Sequence, residues 1–113
     1  MLNDAQLDTF LQRLRAERSA LVEEDAATSE DRGTVVLDQQ AVGRLSRMDA
    51  LQRQAMAQAM ARRRAGRERR IKAAIDRMED GEFGYCLECG EEIAFERLDL
   101  DPTFPNCLSC ARG

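Results

Sequence analysis

Phe83-Gly84-Tyr85-Cys86-Leu87-Glu88-Cys89-Gly90, answered by Cys107-Leu108-Ser109-Cys110, is the stretch that decides the fold of this chain. The four cysteines follow the spacing C-x2-C-x17-C-x2-C, and the 113 residues contain no other cysteine and no histidine. Each C-x2-C pair offers two thiolates from one tight turn, and two such turns complete a tetrahedral zinc site. Cys86, Cys89, Cys107 and Cys110 are therefore the predicted ligands of one structural Zn2+. Four thiolates leave no position open for water, which argues against a catalytic metal. Disulfides are the weaker reading, because nothing in the sequence directs export to an oxidising compartment. Gly90 permits the turn in which backbone N–H groups point at sulfur.

Outward from the cysteines, the composition predicts a small core at this end. Four of the five aromatic residues, Phe83, Tyr85, Phe95 and Phe104, lie between residues 83 and 104. Ile93, Phe95, Leu98, Leu100 and Phe104 are expected to supply an apolar layer, with Pro102 and Pro105 shaping the return to the second cysteine pair. Before Gly81 the pattern is helical. Ile71, Ile75 and Met78 recur at i, i+4 and i+7, and Gly81 is a natural helix stop. Val42, Leu45, Met48, Leu51, Ala55 and Ala59 extend an apolar face toward a start near Leu37 or Asp38. The result is one helix of about 40 residues, roughly 60 Å long.

A shorter helix precedes it, over about residues 4–26. Leu7, Leu14 and Leu21 recur every seven residues, with Phe10 and Leu11 between the first two, and Asn3 or Asp4 is placed to cap the start. Residues 28–34 break the period with turn formers. The fold class that follows is mainly α: a long antiparallel helical hairpin (coiled coil) followed by a small zinc-finger domain of the four-cysteine type. Residues 1–80 form the hairpin, with its tip near residues 25–41, and residues 81–113 form the finger. Helix one covers about half of helix two, and the uncovered part is expected to begin near residue 60.

The net charge of −4 is unevenly spread. Residues 62–72 carry seven basic and one acidic group, whereas residues 83–113 carry six acidic and two basic. An acidic finger is poorly suited to phosphate, so no sequence-specific DNA contact is expected. No apolar run approaches the ~20 residues that span a bilayer. The N-terminus lacks the basic and apolar regions of a signal peptide. A soluble, cytoplasmic protein with no membrane partner is expected. Without histidine, an open metal position or a phosphate-cradling glycine loop, an enzyme is not expected.

The helical approach followed by F-G-Y-C-x-x-C-G-E-E-I, then Arg97-Leu98, Pro102 and the second C-x-x-C pair, resembles the DksA/TraR family. These are bacterial zinc-finger regulators of RNA polymerase. The resemblance covers residues 38–110 in sequence and residues 1–37 in architecture. It implies binding to RNA polymerase through the secondary channel, with the coiled-coil tip reaching toward the active centre and modulating initiation, often together with the alarmone ppGpp in the stringent response. Asp38, Gln39 and Ala41 are the nearest equivalents of the family's acidic tip. Asp38 is also a good helix N-cap, and an N-cap at a hairpin tip can serve both roles. Arg63 and Arg70 fall on family positions that help to bind the alarmone. Arg63, Arg67 and Arg70 are therefore candidate polymerase or nucleotide contacts, against the alternative of a solvated helix face.

Two other readings remain open at this point. A nucleic-acid-binding module would use the arginine cluster of residues 62–72 on backbone phosphates, with a steep loss of affinity in salt. A dimerising helical interaction protein would use an exposed helical stripe.

Overall fold

The computed structural model describes residues 2–28 and 44–112. The elements are α1 (Asp4–Ala27), α2 (Arg44–Glu79), α3 (Phe95–Leu100) and α4 (Leu108–Arg112). Strand-like pairing among the described residues is limited to an isolated antiparallel bridge between Tyr85 and Glu92. The expected mainly α fold, two long helices followed by a four-cysteine module, is the observed one. The expected start of helix two near Leu37 or Asp38 lies outside the described residues.

The start of α1 is closed by a reciprocal cap. The backbone N–H of Gln6 donates to Asn3 Oδ1 at 2.7 Å, and the N–H of Asn3 donates to Gln6 Oε1 at 2.9 Å. Two N–H groups that the helix cannot satisfy are thus paired, and Asp4 adds a negative charge to the first turn. The end of α2 is equally well defined. The N–H of Glu82 donates to the Arg77 carbonyl at 2.8 Å and that of Gly81 to the Met78 carbonyl at 3.2 Å. This is a Schellman stop, and it needs the positive φ of 74° that Gly81 adopts without steric cost.

Two compact units make up the chain, Met1–Ser19 with Glu68–Gly113, and Ala20–Arg67. The first contains the cysteines. Its core is Phe10, Leu14, Ile71, Ala74, Phe83, Ile93 and Leu98, all buried. Phe10 joins the helical and finger parts of this unit. Its ring centroid lies 5.9 Å from that of Phe83 and 5.7 Å from that of Phe95, both tilted. Arg13 covers the same ring at 5.6 Å, pairs with the Asp99 carboxylate at 2.9 Å and donates to the Asp99 carbonyl at 2.8 Å. Leu100 departs from the expected apolar layer and is 82% exposed. With Leu98 fully buried on a six-residue helix, a residue two positions on is turned about 200° away. Phe95 is partly exposed, yet its ring reaches Phe10.

The second unit corrects the sequence reading of α2. Met48 and Leu51, placed on the core stripe by their apolarity, are 57% and 49% exposed. The less exposed positions from residue 46 to residue 64 are instead Arg47, Ala50, Gln54, Ala57, Ala59, Ala61 and Arg64, and all but Ala59 fall on a seam with alternating spacings of three and four. That is heptad spacing filled with small and polar residues. Met48 and Leu51 lie off the seam.

The covered part of α2 is also not where the hairpin lengths suggested. Arg64 Nη2 donates to Thr28 Oγ1 at 2.9 Å, just past the end of α1. In this unit α1 therefore ends beside Arg64, and residues 44–60 of α2 extend past it. The arginines mark the covered end, not the uncovered one.

Candidate metal centre

The first cysteine pair sits on a tight turn held by backbone bonds. The Cys86 N–H donates to the Glu91 carbonyl at 2.8 Å and the Gly90 N–H to the Cys86 carbonyl at 3.0 Å. Gly90 has φ 76°, the conformation for which glycine was expected here. Ile93 N–H to the Gly84 carbonyl, 2.8 Å, closes the base of the turn. The second pair sits at the start of α4. Cys107 immediately precedes this short helix, whose first turn includes the bond from the Ala111 N–H to the Cys107 carbonyl at 2.9 Å.

These turns bring the Sγ atoms of Cys86, Cys89, Cys107 and Cys110 within 4.8 Å of one another. Cys89 and Cys107 are 3.8 Å apart. Zinc–sulfur bonds of about 2.3 Å in a tetrahedron give sulfur–sulfur edges of about 3.8 Å, so the cluster has the size of a four-thiolate zinc site. A disulfide would need about 2.05 Å between sulfurs, and all four cysteines are free.

The electrostatics agree with a cation in the cluster. Burial pushes the Cys86 thiol up, but the backbone N–H groups of Cys89, Cys107 and Glu88 outweigh it and bring the group down to about 6. At Cys89 the Glu91 N–H pulls downward, yet the Cys86 and Cys107 sulfurs and burial leave the thiol raised. Cys110 is raised by the sulfurs of Cys107, Cys86 and Cys89 and by burial. Without a metal, the Cys86 thiolate forms readily, and Cys89 and Cys110 then resist ionising. A divalent cation at the centre removes that conflict.

Around the sulfurs, Arg97 fixes the chain that leads into the second pair. Its Nε donates to the Asn106 carbonyl at 3.0 Å, and its guanidinium stacks 4.1 Å from the centroid of Phe104. Asn106 Oδ1 lies 3.8 Å from Cys86 Sγ. Asp101 organises the preceding turn by accepting from the N–H and hydroxyl of buried Thr103, at 2.9 and 2.8 Å. These supports were not anticipated, although an arginine among Phe95, Leu98 and Phe104 signals cation–π packing.

The other candidate residues are placed as follows. Asp38, Gln39 and Ala41 lie outside the described residues. Arg63 and Arg70 are exposed on α2, and Arg67 is half-buried. Arg64, within the basic run of residues 62–72, is buried. Among the described residues no helix is long and apolar enough to cross a membrane.

Residues 81–113 match the family described as "Prokaryotic dksA/traR C4-type zinc finger". A C4-type finger carries one structural Zn2+, and the four clustered sulfurs fit it. The RNA polymerase-binding transcription factor DksA of Salmonella typhimurium is 31% identical over 112 residues, 96% of this chain and 71% of that protein. The protein of the same name from Caulobacter vibrioides is 32% identical over 111 residues, 90% of this chain and 70% of that one. The fold is similar to that of transcription factor DksA2 from Pseudomonas aeruginosa, with a TM-score of 0.75 at 23% identity, over 97% of this chain and 83% of that chain.

Proposed function

The chain belongs to the DksA/TraR family, and from this premise we propose that it is a bacterial transcription regulator that binds RNA polymerase and modulates initiation. The observation that carries the proposal is the near full-length similarity to RNA polymerase-binding factors, together with the four-cysteine cluster of zinc-site size. Each of Cys86, Cys89, Cys107 and Cys110 supplies one thiolate to the zinc. The metal's role is structural: it ties residues 83–90 to the return through Cys107, so that the unit containing Phe10, Ile71 and Phe83 is held as one body.

The functional division proposed is a helical part, residues 1–80, and a finger, residues 81–113. The helical part enters the polymerase secondary channel. Asp38, Gln39 and Ala41 act at its tip, within residues 25–41. Arg63, Arg67 and Arg70 contact polymerase or the phosphates of ppGpp, for which arginine forks are suited. The acidic finger supports a regulator that works through protein contact, with no sequence-specific DNA reading. The protein is read as a cytoplasmic regulator and not as an enzyme, since four thiolates occupy every position of the zinc tetrahedron.

The test is the lifetime of promoter complexes formed by bacterial polymerase holoenzyme, with and without the zinc-loaded protein and ppGpp. The protein is expected to change that lifetime. Asp38→Asn should reduce the effect about tenfold while leaving polymerase affinity nearly unchanged, as removal of one tip charge implies. Arg70→Ala should weaken any ppGpp enhancement. An unchanged lifetime at saturating protein would contradict the proposal.

A further inference from the structure

We infer that Arg64 is a positioning residue: buried in the seam of α2, it fastens the last turn of α1 and so fixes the point at which the chain leaves that helix toward the tip. The inference rests on the tip reading proposed above. Arg64 is 7% exposed, on a helix whose other arginines at positions 62 and 63 are exposed. Its Nη2 donates to Thr28 Oγ1 at 2.9 Å, and that hydroxyl donates to the Glu24 carbonyl at 3.0 Å. The Asp25 and Glu24 carboxylates lie 3.4 and 3.7 Å from the guanidinium. One cation thus reaches a helix C-terminus, its terminal hydroxyl and two nearby acids, all within residues 24–28.

Stability alone does not account for this arrangement. The two ion contacts are long, and Arg64 Nε is buried with no hydrogen-bond partner among the described residues. An apolar side chain of similar length at such a site usually gives a fold at least as stable. What the arginine supplies is selectivity between registers. The neighbouring seam position, Ala61, is small and does little to distinguish one alignment of the helices from another. A shifted alignment would remove Thr28, Asp25 and Glu24 from a guanidinium that stays buried. The cost of the unpaired charge falls on the wrong registers only. Thr28 directly follows the end of α1, so a slip at this clasp would move the point at which the chain leaves that helix.

The test compares the full zinc-loaded chain with Arg64→Met and Thr28→Val. Amide exchange is measured over residues 20–28, with polymerase affinity and promoter-complex lifetime alongside. Arg64→Met is expected to keep a thermal midpoint at or above that of the wild type, while exchange over residues 20–28 rises about tenfold as the last turn is freed. Polymerase affinity should stay within about threefold, while the effect on promoter complexes falls at least about fivefold. Thr28→Val removes only the hydroxyl relay and should act in the same direction, more weakly. It carries the test if Arg64→Met does not fold. Wild-type exchange over residues 20–28, or an undiminished effect on promoter complexes in a folded variant, would overturn the inference. If the wild-type protein leaves promoter complexes unchanged, the functional reading fails, and the exchange measurement still decides whether Arg64 is the clasp.

Discussion

At the scale of single residues, the cysteines have unequal tasks although their spacing is symmetric. Cys86 is buried and collects backbone N–H groups, so it carries charge down to about pH 6. Cys89 and Cys110 are raised by their neighbours and remain thiols at neutral pH in the metal-free cluster. Loading zinc must then displace at least those two protons. Between pH 6 and 8 each unit of acidification should weaken zinc binding at least about 100-fold, tenfold per displaced proton, with a steeper fall below pH 6 as Cys86 also protonates. Competition with a chromogenic chelator across that range would measure the slope, and a pH-independent affinity would contradict the assignment. The ligand set was legible in the sequence because metal chelation is encoded by local spacing. Arg97, Asn106 and Arg64 were not, because an arginine's partner is set by tertiary packing. The sequence places Arg64 beside Arg62 and Arg63, and only the fold turns it inward.

At the scale of elements, α1 was legible and α2 only in part. The caps at Asn3/Gln6 and at Gly81 follow from short-range chemistry, and both helix ends fall where these residues predict. The core of the cysteine-containing unit also follows the apolar period, with Phe10, Leu14 and Ile71 buried. On α2 nearer the link, the period misled because apolarity and burial part company there. Alanine, glutamine and arginine face inward, and Met48, Leu51, Met56 and Met60 face out. The contacts of Phe10 lead to a direct stability prediction. Phe10→Ala should cost about 3–5 kcal/mol, because it removes a fully buried ring and its two aromatic neighbours. Arg13→Ala should cost no more than about 1 kcal/mol, since the Asp99 pair is solvent-exposed. Denaturant unfolding of the zinc-loaded protein distinguishes the two. Equal losses would mean that the ion pair attaches the helix to the finger as strongly as the ring does, against this account.

At the scale of the whole molecule, the chain combines an acidic zinc module with a helical part that carries a concentrated basic run. Residues 83–113 have a net charge of −4, and residues 62–72 one of +6. That distribution suits recognition of a large, charged protein surface better than wrapping on nucleic acid, and it places the burden of affinity on protein contact. Family membership gives that surface an identity, RNA polymerase. The direct test is binding of the purified, zinc-loaded protein to bacterial core RNA polymerase, in competition with a factor known to occupy the secondary channel. Saturable binding and mutual exclusion of the two proteins are expected. Absence of binding at micromolar concentrations, or simultaneous occupancy with no competition, would contradict the polymerase reading.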